Sequence, residues 1–182
     1  YPINPRRGML YRTTYSYGLK ENTGPEYLFT EDQLPRKEEI QKVDIEMSSF
    51  SNIRRNQVLY LNIHGARIKG NKNKLQLTDH IWFGGARSLR GYKENQFHGT
   101  IVAWINIEYR FLISRDSRIF AFNDWGFYSV KENGTLKEEI LPGYGIGIRF
   151  DTPLGVLGVD YGLGKDDTFS TAKVHFGIIN TF

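Results

Sequence analysis

Two carboxylates, Glu108 and Asp124, sit on what reads as one polar face shared by two neighbouring strands. The turn between those strands centres near Asp116, and pairing outward from it sets Glu108 directly opposite Asp124. Like charges facing each other across an antiparallel pair repel and weaken the sheet. Such a pair demands a cation, or one of its members must take up a proton. With a proton it would look like an acid–base couple. With an arginine it becomes a structural clamp, because a planar guanidinium bridges two carboxylates through several charge-assisted bonds. Two arginines are candidates: Arg110, on the strand of Glu108, and Arg90, in the long connection before that strand. The bland reading keeps Arg90 as a solvated loop residue and lets Arg110 satisfy both acids.

Other chemistry finds no support. His64, His80, His98 and His175 are scattered, without the paired spacing of a metal site. The chain has no cysteine, which excludes a disulfide framework, a thiolate site and a Cys nucleophile. It is also compatible with a periplasm-exposed protein. Gly-x-Ser-x-Gly and a phosphate-cradling Gly-Lys-Ser/Thr loop are absent. The glycines of Gly143–Gly147 alternate within a strand and open no helix, so they are no dinucleotide loop. The net charge of +4 is mild and spread along the chain, so it argues only weakly for a nucleic-acid partner, and none is expected. No enzyme activity, cofactor or metal is expected.

The elements that must position these residues read as strands throughout. Strict alternation of apolar and polar residues recurs in eight runs, near Met9–Tyr17, Lys42–Ser49, Gln57–Arg67, Thr100–Ile113, Arg118–Ser129, Gly143–Thr152, Val156–Leu163 and Ala172–Phe182. In the fourth, Ile101, Ala103, Ile105, Ile107, Tyr109, Phe111 and Ile113 line one face, and Asn106, Glu108 and Arg110 the other. That run is longer than the five or six residues usual in globular sheets. It exceeds the roughly 9–11 residues that a tilted strand needs to cross a bilayer. In the sixth and seventh runs the polar face carries Gly145, Gly147, Gly158 and Gly162 beside Arg149, Asp151 and Asp160. Glycines suit a wall against which another backbone packs closely, so this wall calls for an object inside a barrel.

Composition agrees. Aromatic residues make up 14% of the chain, yet mean hydropathy is negative, at −0.46. A transmembrane barrel combines the two because only every second residue meets lipid. Connection lengths alternate as well. Phe50–Asn56, Ser114–Ser117 and Pro153–Gly155 are short, whereas Gly18–Gln41, Ile68–Gly99 and Val130–Pro142 are long, with a modest Gly164–Thr171. Short periplasmic turns and long outer loops are the habit of transmembrane barrels. A soluble up-and-down barrel shares the alternation but has no reason to segregate its loops. The fold expected is all-β, a transmembrane antiparallel up-and-down barrel wall over residues 1–182.

The connection before the fourth run carries Gly84-Gly85 and then Leu89-Arg90-Gly91-Tyr92. Here the chain resembles the BamA/TamA superfamily of outer-membrane assembly and translocation proteins, whose long extracellular loop folds back into the barrel with an Arg-Gly-aromatic tip. The resemblance implies that Arg90, Gly91 and Tyr92 form that tip, on an inward-folded loop near 68–99. Glu108 and Asp124 match the acids that contact the loop arginine in this family. Gly143–Gly155 resembles its Gly-rich strand and Pro-Leu-Gly turn, and Asp160-Tyr161-Gly162 the strand after it. Gly84, Gly85, Gly145, Gly147, Gly158 and Gly162 are accordingly expected to pack against the loop. The ending, with His175, Gly177 and Phe182, resembles the β-signal read by the barrel-assembly machinery, although Asn180 stands where an apolar residue is preferred.

The resemblance implies a place in the bacterial outer membrane, in contact with its lipid and lipopolysaccharide. The expected function is to insert or export client β-barrel or passenger proteins. The rivals are an anchoring or secretion barrel for a fused effector, such as a patatin-like lipase, and a passive barrel. Family barrels have sixteen strands, so eight runs read as a C-terminal half or as a short member that closes or self-associates. Tyr1-Pro2-Ile3-Asn4-Pro5 carries no secretory signal, which favours upstream truncation, with Phe182 the true C-terminus. An open sheet cannot sit in lipid, since each unpaired backbone group costs several kcal/mol. Either the missing half exists or the first and last strands meet.

Overall fold

Alternation of period two becomes eight long strands in the computed structural model, which describes residues 3–21, 23–25, 36–70, 75–132 and 134–179. The strands are β1 (Gly8–Glu21), β2 (Lys37–Arg54), β3 (Gln57–Gly70), β6 (Ile101–Leu112), β7 (Arg118–Glu132), β8 (Thr135–Thr152), β9 (Gly155–Leu163) and β10 (Lys173–Ile179). They form one antiparallel sheet in the order β1-β2-β3-β6-β7-β8-β9-β10. Two short strands, β4 (Ile81–Phe83) and β5 (Phe97–Gly99), pair with each other inside the connection between β3 and β6. The sheet is open: β1 and β10 do not pair with each other among the described residues. No helix among those residues is long and apolar enough to cross a membrane.

The two faces divide as the alternation requires. On β6, Ile105, Ile107, Tyr109 and Phe111 are exposed, while Asn106, Glu108, Arg110 and Leu112 are buried. Ile119 and Trp125 on β7, and Tyr144, Ile146 and Ile148 on β8, continue the exposed apolar face. An apolar outer surface around a charged inner one suits a wall with lipid outside and polar contents inside. The inner face is covered by the β3–β6 connection. Phe83, Leu89 and Tyr92 from that connection pack with Ala66, Val102, Tyr128, Val130 and Leu141 of the wall to form the buried apolar cluster.

Three details differ from the sequence reading. Val130–Pro142 is not a long loop, because β7 runs to Glu132, β8 starts at Thr135, and the two pair from that point downward. The charged stretch around Lys131 and Lys137–Glu139 rises beyond the apolar band, where water wets the hairpin and alternation carries no signal. Within Gly18–Gln41, β1 continues to Glu21 and β2 begins at Lys37. The third concerns register. Leu112 pairs with Arg118, so the β6–β7 turn centres on Arg115 rather than Asp116. Ile113 N–H donates to the Ser117 carbonyl at 3.0 Å, and Ser117 N–H to the Ser114 hydroxyl at 3.0 Å, which closes the turn there. Glu108 therefore lies opposite Phe122, and Asp124 opposite Asn106. The correction moves the pairing by two residues and leaves both acids on the inner face, since only an odd slip would turn them outward.

Candidate functional site

The corrected register explains how two acids share one cation. Glu108 and Asp124 stand diagonally across β6 and β7, a separation that long side chains span. Arg90 reaches both. Its Nε donates to Asp124 Oδ2 at 2.8 Å, one Nη to Asp124 Oδ1 at 2.8 Å, and the other Nη to Glu108 Oε1 at 2.5 Å. The Arg90 backbone N–H adds a bond to Asp124 Oδ2 at 3.1 Å. The ring of Phe122, directly opposite Glu108, lies under the guanidinium with its centroid 3.9 Å from Cζ, a cation–π contact.

Arg110 joins the cluster without replacing Arg90. Its Nε donates to Glu108 Oε2 at 2.7 Å, and its guanidinium lies 3.9 Å from the centroid of Tyr60. Two cations and two carboxylates thus form a neutral buried group, with Arg90 only 4% and Asp124 0% exposed. All four carboxylate oxygens accept from guanidinium groups. Desolvating these charges is costly, and it is offset because the geometry leaves no carboxylate oxygen without a donor.

The loop that delivers Arg90 is shaped by local chemistry. Gly84 and Gly85 have φ of 118° and 91°, and Gly91 has 90°, in the left-handed region that glycine enters without cost. Gly84 N–H donates to the Ser88 hydroxyl at 2.8 Å, and Gly85 N–H to the Leu89 carbonyl at 3.0 Å, closing a tight turn before the tip. Ala86 N–H donates to Glu94 Oε1 at 2.8 Å across the loop. Asn106 Nδ2 on β6 donates to the Ser88 carbonyl at 2.8 Å, pinning the turn to the wall. The Tyr92 hydroxyl donates to the Pro142 carbonyl at 2.8 Å and accepts from Lys165 N–H at 2.9 Å. The tip is therefore held by β6, β7 and β8 and by the start of the β9–β10 loop. At the base of the loop, Nδ1 of His80 and Nδ1 of His98 are 2.9 Å apart. Burial, then the neighbouring His98, hold the His80 imidazole below its ordinary value.

The expected loop-packing glycines divide into three groups. Gly162 meets the tip, since a Cβ there would come 2.7 Å from Gly91 N. Gly145 instead meets the Tyr161 carbonyl of β9 and the Phe122 ring of β7, Gly147 the Asp160 carboxylate and the Phe120 ring, and Gly158 the Arg149 guanidinium. These three are corrected from loop contacts to wall contacts. Gly84 and Gly85 act inside the loop. The closest approach to the tip falls on Gly143, where a Cβ would lie 2.2 Å from the Arg90 carbonyl oxygen. Gly164, under the Tyr92 ring, and Gly126, under Leu89, do the same. Sequence reasoning missed these three as loop contacts, together with Asn106, Ser88 and Phe122. Gly143 was visible as the first glycine of its run, but nothing local distinguished a neighbour of the loop from a neighbour of a ring.

At the C-terminal end, His175 pairs in register with Asp160 and turns inward, with Nδ1 3.7 Å from Glu94 Oε1 of the loop. Asp160 itself is bridged by both Nη atoms of Arg149, at 2.5 and 2.7 Å. Gly177 has open space where a Cβ would stand. Phe182 lies outside the described residues. Among the described residues no group of three or more His, Asp or Glu side chains is placed to hold a metal ion.

No curated protein matches the chain. A family model described as the Omp85 superfamily domain matches residues 1–182.

Proposed function

The chain belongs to the Omp85 superfamily, a family of outer-membrane insertion and secretion barrels, and from that premise we propose that it serves in the bacterial outer membrane to insert or export client β-barrel or passenger proteins. The observation that carries this reading is the Arg90 clamp. It ties the loop to β6 and β7, while the tip beyond it seats on β9, beside β10, whose outer edge has no partner strand among the described residues. Among the described residues, pairing falls from fifteen residue pairs between β7 and β8 to seven between β9 and β10. A firm wall beside a thin seam suits a sheet edge that receives an incoming strand by β-augmentation.

The reading gives the buried acids a structural role and no part in proton transfer, so the protein acts without enzyme chemistry. Its partners are client strands, outer-membrane lipid and lipopolysaccharide, and the assembly machinery that would read its own terminal strand. Because the chain lacks cysteine, a single Cys in place of Ile178 gives a clean cross-linking probe. The full-length protein in proteoliposomes should cross-link an unfolded barrel client from that position. Arg90→Ala should slow client folding, followed by heat-modifiable gel mobility. No cross-link and unchanged client folding in the variant would sink the proposal.

A further inference from the structure

The described lysines of this protein are confined to one side of the wall, whereas arginines occur on both. Every lysine among the described residues lies in the long-loop half of the wall or in its loops, from Lys20 on β1 to Lys173 on β10. The short-turn rim carries arginine alone. Arg6 and Arg7 precede β1, Arg54 ends β2 and Arg55 opens the β2–β3 turn, and Arg115 tips the β6–β7 turn, all of them exposed. None is in an ion pair among the described residues. The first two of these segments contain no acid, and the acids of this rim are Asp116, beside Arg115 in the β6–β7 turn, and Asp151 near the end of β8.

These turns are stitched into one shelf. The segment before β1 runs across the strand ends: Arg6 donates to the Arg55 carbonyl at 3.3 Å, and Asn4 Nδ2 to the Arg115 carbonyl at 3.0 Å. Arg118, buried behind the turn, donates to Asn4 Oδ1 at 2.7 Å and to the Ile3 carbonyl at 3.1 Å, which fixes the crossing. Beside the arginines, Ile53 and Ile113 are exposed. Each of these two turns thus pairs an apolar side chain with a guanidinium, as a surface at the boundary between acyl chains and headgroups requires.

Resting on the reading of this wall as membrane-spanning, we infer that the arginine shelf binds the phosphates of anionic phospholipids, in the leaflet that its short turns face. Guanidinium groups suit the task because their forked donors match phosphate oxygens bidentately, whereas lysine offers a point charge. An anionic lipid surface attracts clustered cations, roughly fivefold in affinity for each one near the headgroups.

The test uses the full-length protein reconstituted in vesicles of phosphatidylethanolamine and phosphatidylglycerol, extracted gently, with the retained lipids counted by native mass spectrometry. The shelf predicts enrichment of phosphatidylglycerol over its share of the vesicle. Replacing the five arginines (R6Q, R7Q, R54Q, R55Q, R115Q) should abolish it, and R6Q with R7Q alone should lower it severalfold. Gln in place of Lys37, Lys131 and Lys137 on the other rim should leave it intact. Retention in proportion to the vesicle, or an enrichment that survives loss of the five arginines, overturns the inference. Displacement of the lipid by inorganic phosphate overturns it too, because the site would then be one for the free anion. Heat-modifiable mobility, read on the same samples, reports separately on whether the wall is a membrane barrel at all.

Discussion

Asp124 holds Arg90 at two levels, accepting from its backbone N–H at 3.1 Å and from its guanidinium at 2.8 Å through both carboxylate oxygens. One inward side chain of β7 thereby fixes the position of the loop and the direction of the cation that the loop carries. Loop and wall are coupled through a buried charge, so disturbing either should be felt by the other.

Arg90→Ala is expected to be the most damaging single change in the loop. It leaves Asp124 without its cation and Glu108 with Arg110 alone, and breaking a buried ion pair from one side costs about 3–5 kcal/mol. Limited proteolysis should cut residues 75–99 readily in the variant and slowly in the parent. Equal cutting rates would remove the clamp from the account.

Arg90→Lys separates charge from geometry. An ammonium cannot reproduce the fork that grips both oxygens of Asp124 while reaching Glu108. Protease resistance should fall between those of the parent and Arg90→Ala. Full resistance would mean that charge alone holds the tip.

Gly143→Ala should displace the tip without touching any charge. The added methyl would lie 2.2 Å from the Arg90 carbonyl oxygen, with backbone on both sides of the contact. Overpacking of this kind costs about 1–3 kcal/mol. Gly65→Ala, where a Cβ meets nothing within 4 Å, is the matched control. Melting temperatures should separate the two variants, and identical values would show that the close approach is not maintained.

Tyr92→Phe removes a hydroxyl that both donates and accepts, and leaves the Pro142 carbonyl and Lys165 N–H without it. A loss of about 1–3 kcal/mol is expected if neither group finds water. Hydrogen exchange should report faster opening at Lys165 and little change on β2.

Acid should loosen the base of the loop. The His80 imidazole is held below its ordinary 6.5 by burial first and by His98 second, against the opposing pull of Asp79 and Glu132. A base whose folded value is depressed costs nothing above 6.5. As pH falls from there toward the folded value, the unfolded loop takes up the proton first, and the hairpin loses stability. Once protonated, His80 can only donate from Nδ1 across the 2.9 Å to His98 Nδ1 and can no longer accept from it. Proteolysis at the β4–β5 hairpin should quicken below pH 6.5, and His80→Phe should flatten that dependence. A parent protein indifferent to pH across this range would contradict the assignment.

Much of this was legible from residues alone. The alternation on β6 assigned Ile105, Ile107 and Tyr109 to one face and Glu108 and Arg110 to the other, because a strand repeats every two residues whatever lies around it. In the sequence the demand for a cation rests on Glu108 and Asp124 facing each other directly, whereas the structure sets them on a diagonal, where one guanidinium reaches both. The charged hairpin around Gly134 was not legible, since where both faces meet water no periodicity is imposed.

Period two told Glu108 and Asp124 to point inward, and it would have said the same under any even slip of register. Which residue each acid faces was decided by the hydrogen bonds of the Ile113–Ser117 turn and by the fit of Arg90 between them. Likewise, glycine marks a place where a side chain cannot fit but not what fills it: Gly143 meets the loop and Gly147 a phenylalanine ring. Direction is a local property of the backbone, whereas partners are chosen by contacts between segments far apart in the chain, and those exist only once the sheet has curled around its loop.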